Sequence, residues 1–353
     1  MKIAVDCRMI NCSGIGTFLT GILSELLSNQ KFEFLLVGDT SQISRKLDMT
    51  KFKSAIEYLD VKIPIFSPKE MLCFPAKRIN KCDCFFTPNF NIPFNISIPI
   101  ISTIHDVLFL DYPELAGSMG TYIRKSWMNW AIKKSHTILT VSNFSKERII
   151  SFFPKTVSKL IVCGNGVKES LKNEHNSSYI KTNDTPYFLY LGNVKPHKGL
   201  DILLRAYGEY RKNGGINKLK IVGEYQNFKT HLDLESLPKD ILGIDFTGRV
   251  SDEKLINLLQ GAECLIQPSL YEGFGIPPLE AMYVGTPVIL SDIPVFRELY
   301  HEFPVSFFKS GDSNDLLSKM LLTHNRIKLD GKLADKYSYS KVASIISDLI
   351  FNI

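Results

Sequence analysis

Two glutamates, Glu272 and Glu280, flank a turn rich in glycine and proline in the segment SLYEGFGIPPLEAM. Glu272 falls in the predicted loop, and Glu280 falls near the start of a helix whose first turn suits the two prolines. Carboxylates accept hydrogen bonds from vicinal hydroxyls, and glycine N–H groups such as that of Gly275 allow a sugar to approach closely. A carboxylate near a helix N-terminus stabilises the helix by about 0.3–1 kcal/mol, which accounts for Glu280 but not for Glu272. The segment therefore indicates a hydroxyl-binding surface.

Three cations follow strands in the second half of the chain. Lys195 and Lys198 lie in the turn LGNVKPHKG just before a predicted helix, and Arg249 ends the strand IDFTGR. Cations beside a helix N-terminus can hold a diphosphate leaving group, and a guanidinium can chelate the same group. Surface lysines and arginines are common, but together at the strand ends of one sheet these three indicate an anion site.

Two motifs of the first half end or follow predicted strands. Gly14 and Gly16 stand in the turn NCSGIG, ahead of a helix predicted from Thr17, where they suit either a substrate loop or a tight turn without ligand. A dinucleotide fingerprint would need glycine where Leu19 stands. His105 ends the apolar strand PIISTIHD, where it could bind a sugar hydroxyl or stabilise charge near a phosphate. The alternative is a histidine that is satisfied inside the fold.

The elements that position these residues alternate between short apolar strands and amphipathic helices, in two series. Such alternation predicts parallel sheets covered on both faces, with ligands at the carboxyl ends of the strands. The polar stretch KESLKNEHNSSYIKTNDTP separates the series. We therefore predict an α/β fold of two facing Rossmann-like domains with the active site in the cleft between them. The predicted domains are residues 1–168 and 184–335, and residues 336–353 are predicted to form a helix that packs on the first domain.

Composition restricts the class of protein. The chain has 353 residues, of which 44% are hydrophobic and 22% charged, as expected of globular domains. The first residues, MKIAVDCRM, predict a strand and no leader peptide. Seven cysteines without framework spacing favour a reducing cytoplasm. Cys82 and Cys84 lack a matching second pair, so we expect no metal, and we also expect no nucleic-acid partner.

The charge is concentrated in the first half. Residues 1–166 carry 20 Lys and Arg against 13 Asp and Glu, a net charge of +7, whereas the remainder has a net charge of −1. This asymmetry suggests that the first domain presents a face to an anionic partner, with a solvated basic surface as the alternative. The run TYIRKSWMNWAIKKSH could place Trp127 and Trp130 on such a face, although both could equally pack in the core.

Taken together, these segments resemble the retaining glycosyltransferases of family 4 (group 1), which have the GT-B fold. The glutamate pair matches the E-x7-E signature of that family, and SGIG, STIHD, TVSNFSKE, GNVKPHKGLDILLRAY and TGRVSDEKL match in the same order. The resemblance covers nearly the whole chain. It is most similar to bacterial O-antigen or capsule mannosyl- and rhamnosyltransferases.

The resemblance implies a role for each matching residue. Glu280 would bind the ribose hydroxyls of the nucleotide, Glu272 the donor sugar, and Lys198 the donor diphosphate. His105 would lie near the reacting sugar. Phe274 and Gly275 would offer backbone N–H groups to the sugar, and the loop of Gly14 and Gly16 would lie beside the acceptor and phosphate. Many members have arginine where this chain has Asn193, so Arg249 or Lys195 is the candidate to supply that charge.

The implied reaction is hexose transfer with retention of configuration, without a metal, a cofactor or a protein nucleophile. The donor would be a nucleotide-diphosphate sugar, with GDP-mannose favoured and a UDP- or dTDP-sugar as the alternative. The acceptor would be a glycan or a polyprenyl-diphosphate-linked glycan at the cytoplasmic face of the inner membrane. A nucleotide-sugar 2-epimerase and a non-catalytic carbohydrate- or nucleotide-binding protein are the alternatives.

Overall fold

The computed structural model describes residues 1–168, 171, 185–224 and 243–353. The chain forms two compact units. Unit 1 consists of Met1–Gly166 and Tyr337–Ile353, and unit 2 consists of Val167–Lys336. The polar stretch predicted to separate the domains lies mostly outside the described residues.

Unit 1 contains a seven-stranded parallel sheet with the order β3-β2-β1-β4-β5-β6-β7. Its inner strands are short apolar runs that are buried along their whole length, as expected when helices cover both faces of a sheet. The strands are β1 (Lys2–Asp6), β2 (Glu33–Gly38), β3 (Ile56–Asp60), β4 (Cys84–Thr87), β5 (Ile100–Thr103), β6 (Thr137–Thr140) and β7 (Leu160–Val162).

The helices of unit 1 include one from the C-terminus. They are α1 (Ser13–Leu26), α2 (Thr40–Lys46), α3 (Pro68–Cys73), α4 (Ala76–Ile79), α5 (Leu108–Asp111), α6 (Gly117–Lys134), α7 (Asn143–Phe152) and the C-terminal α14 (Tyr339–Phe351). The last of these packs on α1, where a Cβ added to Gly21 would lie 2.2 Å from the ring of Tyr339. Only glycine at position 21 lets that ring lie directly on the helix backbone.

Helix α1 begins four residues earlier than predicted. The sequence predicts a turn over NCSGIG and a helix from Thr17, but the helix begins at Ser13 and its first turn contains Gly14 and Gly16. A Cβ on Gly16 would lie 2.4 Å from the carbonyl oxygen of Ile10, so this glycine is required by packing. The prediction of a turn was wrong because glycine was taken as a helix breaker where it serves close packing.

Unit 2 contains a six-stranded parallel sheet with the order β10-β9-β8-β11-β12-β13. Its strands are β8 (Tyr187–Leu191), β9 (Lys218–Val222), β10 (Ile244–Gly248), β11 (Cys264–Gln267), β12 (Val288–Ser291) and β13 (Ser306–Phe308). Its helices are α8 (Leu200–Lys212), α9 (Asp252–Gly261), α10 (Ile276–Tyr283), α11 (Pro294–Tyr300), α12 (Ser313–Met320) and α13 (Gly331–Ala334). The buried faces of β8, β9 and α8 form one apolar core.

In each sheet the strand order reverses at one point. The reversal lies between β1 and β4 in unit 1 and between β8 and β11 in unit 2. Loops that leave the carboxyl ends of two such neighbouring strands diverge to opposite faces, which opens a crevice where ligands bind in open α/β sheets. The residues that follow these four strands are therefore the first to consider for function.

Candidate active site

The two loops at the strand reversal of unit 2 meet through an ion pair. The chain leaves β8 through a 3₁₀ turn, Pro196–Lys198, and leaves β11 through the loop that carries Glu272. The ammonium group of Lys198 donates to both carboxylate oxygens of Glu272, at 2.6 and 2.7 Å. Both side chains are largely buried, so the pair is only weakly screened by solvent. The structure thus brings together two residues that are 74 positions apart in sequence.

The close approach of the two loops depends on Gly199. Its φ of +65° is in the left-handed region, and a Cβ there would lie 2.0 Å from the carbonyl oxygen of Pro268. The N–H of Leu270 also donates to the carbonyl of His197 at 2.8 Å. Lys198 is therefore positioned by backbone contacts on both sides of its own position, and not by its ion pair alone.

A chain of buried polar groups supports Glu272. The hydroxyl of Ser269 donates to Oε1 of Glu272 at 2.8 Å, and Nε2 of Gln267 donates to the same hydroxyl at 3.1 Å. The hydroxyl of Ser291 donates to the carbonyl of Ser269. Sequence reasoning missed these residues, although Gln267 and Ser269 stand just ahead of the glutamate motif at the end of an apolar strand. The hydroxyl of Ser269 thus holds Oε1 of Glu272, whereas Oε2 accepts only from Lys198 among the described residues and is the oxygen more readily offered to a ligand.

Two buried groups near the pair stay neutral at physiological pH. Burial, helped by the neighbouring charge of Lys198, lowers the pKa of His197 to about 4. Burial also raises the pKa of Tyr190 well above its ordinary value, and the carboxylate of Glu272 adds to this rise. His197 therefore adds no positive charge at this strand reversal, where Lys195 and Lys198 are the cations of the loop after β8.

The glycine loop before α10 is fixed by aromatic packing. Gly275 precedes the helix with a φ of +86°, and a Cβ there would lie 2.5 Å from the ring of Phe296. The hydroxyl of Tyr300 donates to the carbonyl of Gly275. The ring of Phe274 is buried and lies edge-on to Tyr300 at 6.5 Å between centroids. These contacts hold the loop backbone in one conformation, which positions its N–H groups for a sugar.

Glu280 is a buried carboxyl group in the second turn of α10. Its residue is only 5% exposed, and it makes no hydrogen bond or ion pair with any residue in the described ranges. Burial raises its pKa to about 7, with Lys168 opposing and Asp252 adding to the rise. Lys168 and Asp252 pair with each other at 2.8 Å. Glu272 and Glu280 therefore lie in different surroundings, since Glu272 is paired with a cation and Glu280 is buried without an ion pair among the described residues.

Asn193 and Arg249 share a different partner from Lys198. The side-chain oxygen of Asn193 accepts from the N–H of Glu224 at 3.4 Å, and Nε of Arg249 donates to the carboxylate of Glu224 at 2.9 Å. Lys195 is half-buried and immediately precedes the 3₁₀ turn. Arg249 is half-exposed and follows β10, two strands from β8. Two of the three predicted cations therefore have different carboxylate partners, Lys198 with Glu272 and Arg249 with Glu224.

His105 follows β5 in unit 1. Its Nε2 lies 2.9 Å from the carbonyl of Pro88, and because a carbonyl only accepts, Nε2 carries the proton. Its ring is edge-on to Phe18 at 4.9 Å, and burial lowers its pKa. The neutral ring then offers Nδ1 as an acceptor. One nitrogen is thus satisfied inside the fold, as the alternative prediction had it, and the other remains for a ligand.

Gly14 and Gly16 have different surroundings at the start of α1. Gly14 is exposed, and no heavy atom lies within 4 Å of a Cβ placed on it. Gly16 is accounted for by its contact with Ile10. Of these two glycines, only Gly14 has open space beside its backbone, where a ligand could approach the start of α1.

The described residues contain neither a group of metal ligands nor a helix that could span a membrane. In these ranges, three or more His, Cys, Asp or Glu side chains nowhere group closely enough to hold a metal ion. Over the same part of the chain, no helix combines the length and apolar character needed to cross a membrane.

Comparison with protein-family models gives two matches. Residues 171–323 match the model described as Glycosyl transferases group 1, and residues 86–171 match the model described as Glycosyltransferase Family 4. The chain is built from the two domains of the family 4 glycosyltransferases. The glutamate pair, Lys198 and Arg249 all fall within the first of these matches, and His105 falls within the second.

Two curated relatives of this family 4 chain are mannosyltransferases. It is 28% identical over 241 residues to O-antigen chain mannosyltransferase B of Escherichia coli, which covers 64% of this chain and 61% of the relative. It is 30% identical over 204 residues to O-antigen chain mannosyltransferase RfbU of Salmonella typhimurium, which covers 56% and 53%. The chain thus aligns with less than two thirds of the length of either relative.

A solved structure shares the fold over its whole length. Anabaena Alr3699/HepE, in complex with UDP and glucose, superposes with a TM-score of 0.74 at 16% identity and covers 100% of both chains. The likeness confirms the predicted two-domain α/β fold of the GT-B type.

Proposed function

We propose that this protein is a retaining hexosyltransferase that moves a mannose-like sugar from a nucleotide diphosphate to a glycan acceptor. The observation that carries the proposal is the Lys198–Glu272 pair at the strand reversal of unit 2, within the residues that match the glycosyl transferases group 1 model. The two mannosyltransferase relatives favour mannose as the sugar. GDP is the expected nucleotide, and a UDP- or dTDP-sugar is the alternative.

The groups at this site suit departure of a diphosphate without a metal. Lys198 would exchange part of its contact with Glu272 for the donor diphosphate and neutralise the charge that develops there. Glu272, held by Ser269, would accept hydrogen bonds from hydroxyls of the transferred sugar. Glu280 would take the ribose hydroxyls, and Nδ1 of His105 would accept from a hydroxyl of the reacting sugar. Neither glutamate acts as a nucleophile in this proposal.

The proposed step proceeds on one face of the sugar. The bond between the anomeric carbon and the diphosphate oxygen breaks, and a bond from the same carbon to the acceptor oxygen forms on the same face. The proton of the acceptor hydroxyl passes to the departing phosphate oxygen. Retention of configuration follows from this geometry without a covalent enzyme intermediate, in contrast to the carboxylate pair of a glycosidase.

We also propose that unit 1 contacts an anionic membrane that carries a lipid-linked acceptor. Helix α6 exposes three apolar side chains, Met119, Tyr122 and Ile123, at 70%, 69% and 45% of their surface. We refer to these three residues as the α6 apolar face. Residues 1–166 carry the net charge of +7, so an apolar contact would be combined with electrostatic attraction. Trp130 does not contribute, because its ring packs on the core and its indole N–H donates to Ile92 at 3.0 Å.

A donor panel tests the proposed function. The protein is incubated with GDP-mannose, UDP-glucose and dTDP-rhamnose, each with and without a mixture of neutral oligosaccharide acceptors, and nucleotide release is measured. Acceptor-dependent release of GDP is expected. Epimerisation of the donor without release would support the epimerase alternative, and binding without turnover would support a non-catalytic protein. Product NMR should show the same anomeric configuration in donor and product, and an inverted product would contradict the proposed step.

A further inference from the structure

A buried polar cluster occupies the strand reversal of unit 1. Nη2 of Arg8 contacts a carboxylate oxygen of Asp6 at 2.6 Å and one of Glu70 at 2.6 Å. Nδ2 of Asn91 donates to the same oxygen of Glu70 at 2.6 Å. The side chains of Arg8, Asp6 and Glu70 are 3%, 2% and 0% exposed, and Asn91 is 1% exposed. We refer to these four residues as the Arg8 cluster.

The Arg8 cluster leaves two buried polar atoms without a partner among the described residues. They are Nη1 of Arg8, a donor, and Oδ1 of Asn91, an acceptor. A buried polar group without a hydrogen bond costs about 1–3 kcal/mol, and more when it is charged. Burial raises the pKa of Glu70, while Asp6 and Glu70 together raise the pKa of the Arg8 guanidinium. The cluster therefore has one unused donor and one unused acceptor where a sheet of this type binds ligands.

The position of the cluster in the fold repeats that of the Lys198–Glu272 pair. Asp6 is the last residue of β1, Arg8 follows it, and Asn91 follows β4. These are the two strands between which the order of the unit 1 sheet reverses. The predicted active-site residues do not include any member of the cluster.

Aromatic side chains lie next to the cluster. The N–H of Phe66 donates to the second oxygen of Glu70 at 2.6 Å. Phe66 has a φ of +56°, unusual for a residue other than glycine, and its side chain is 40% exposed. Its ring stacks on Trp127 at 4.9 Å and lies 5.4 Å from Phe90, the residue before Asn91. An exposed aromatic face thus adjoins a set of planar polar groups.

We propose that the Arg8 cluster and the ring of Phe66 form a subsite for a neutral sugar residue of the glycan acceptor. Sugars present apolar C–H faces that stack on aromatic rings and hydroxyl groups that both donate and accept. Sugar hydroxyls could accept from Arg8 Nη1 and donate to Asn91 Oδ1. Two carboxylates against one guanidinium disfavour an anionic sugar. The acceptor assignment rests on the proposed function, whereas sugar binding by unit 1 does not.

Tryptophan fluorescence offers a direct measurement. The chain has two tryptophans, Trp127 and Trp130, and both lie on α6. The protein is first screened on an array of neutral and anionic oligosaccharides of hexoses and deoxyhexoses. The neutral glycan that binds best is then titrated without any nucleotide sugar, and the fluorescence change of Trp127 is followed in the Trp130→Phe background.

Two variants and one matched control test which residues bind the glycan. Phe66→Gly removes the ring at a φ that suits glycine, so the fold should be kept, and we expect the dissociation constant to rise at least about fivefold. Asn91→Leu removes the unpaired acceptor, and we expect at least about a tenfold rise. Phe94→Ala removes another exposed ring, which lies 4.7 Å from Trp130, and should leave binding unchanged. Circular dichroism and melting temperature check that each variant is folded.

Each outcome decides the proposal. Neutral-glycan binding that is weakened by Phe66→Gly and Asn91→Leu but not by Phe94→Ala supports it. Absence of binding to any neutral glycan on the array overturns it, as does binding that Phe66→Gly leaves unchanged. If Asn91→Leu fails to fold, the Phe66→Gly result alone decides. Glycan binding by a protein that transfers nothing from the donor panel would refute the proposed function and leave the sugar site standing.

Discussion

Replacing Glu280 with glutamine should remove the pH dependence that this residue gives to stability. The pKa of Glu280 is raised from 4.5 to about 7 by burial, so the folded protein holds a proton that the unfolded chain has already lost between these pH values. Stability then falls as pH rises through this window, because the folded state binds more protons than the unfolded state. A shift of this size corresponds to about 2–3 kcal/mol lost between pH 5 and pH 8.

The assay compares wild type and Glu280→Gln in thermal unfolding at intervals from pH 5 to pH 8.5. Glutamine keeps the shape of the protonated acid and does not ionise, so the two proteins should be nearly equally stable at pH 5. At pH 8 the variant should be more stable by about 2–3 kcal/mol, which corresponds to about 5–10 °C for a unit of this size. Equal melting temperatures across the whole range would refute the assignment of a raised pKa.

The same residue links pH to nucleotide binding. If Glu280 accepts hydrogen bonds from a ribose diol, the ionised form binds better, and the affinity for GDP should increase as pH rises from 6 to 8. The diphosphate also titrates near this range, and Glu280→Gln controls for it, because only the contribution of Glu280 disappears in the variant. An identical pH profile for both proteins would remove Glu280 from the nucleotide site while leaving the stability result intact.

Three further outcomes are expected. Lys198→Ala and Glu272→Ala should each lower turnover at least tenfold, about 1.4 kcal/mol of barrier, whereas Lys212→Ala, which breaks an exposed helical ion pair, should not change it in the same donor assay. Gly199→Ala should destabilise the protein and lower turnover, since its Cβ would clash with Pro268. The control Gly208→Ala has open space around it inside α8 and should raise the free energy of unfolding by about 0.5–1 kcal/mol in urea. Serine at the three positions of the α6 apolar face should abolish co-sedimentation with anionic vesicles at physiological salt, whereas serine at the exposed Leu321 and Leu322 should not. A wild-type protein that stays in the supernatant would contradict membrane contact.

The buried parallel strands were predictable from sequence because they are continuous apolar runs at the heart of each unit. The edge strands β3 and β13 were not, since β3 alternates partly exposed residues and β13 has three residues, whereas the edge strand β10 was predicted. The start of α1 was mispredicted because Gly16 is selected by contact with Ile10, a neighbour that periodicity does not identify. The local hydrophobic pattern therefore located the strands that are buried on both faces. It failed where tertiary contacts set the end of an element, as at the start of α1.

The chemistry of the candidate site divides in the same way. The glutamate motif and the lysine turn were recognisable because glycine, proline and charge are unusual at those positions. The direct pairing of Lys198 with Glu272 and the shared partner Glu224 depend on contacts between loops of different strands, whereas Ser269 supports Glu272 from within one loop. The resemblance assigned Lys198 and Glu272 separate ligands, whereas their pairing implies that a donor must compete for both. Binding of the diphosphate should then be coupled to release of the carboxylate toward the sugar.

The two strand reversals explain why the Arg8 cluster escaped sequence reasoning. In unit 2 the polar residues of the reversal stand in loops with glycine and proline, so that composition alone draws attention to them. In unit 1 the corresponding residues come from the end of β1, the turn after it, α3 and the loop after β4, so they are scattered along the sequence. A lone aspartate, arginine or glutamate in such a setting resembles a surface position. Only the topology, which places β1 beside β4, gathers them into one buried charged set. Since a fold gains little stability from buried charges that hydrophobic residues could replace, a cluster with unsatisfied atoms at the ligand-binding edge is better explained by binding than by stability.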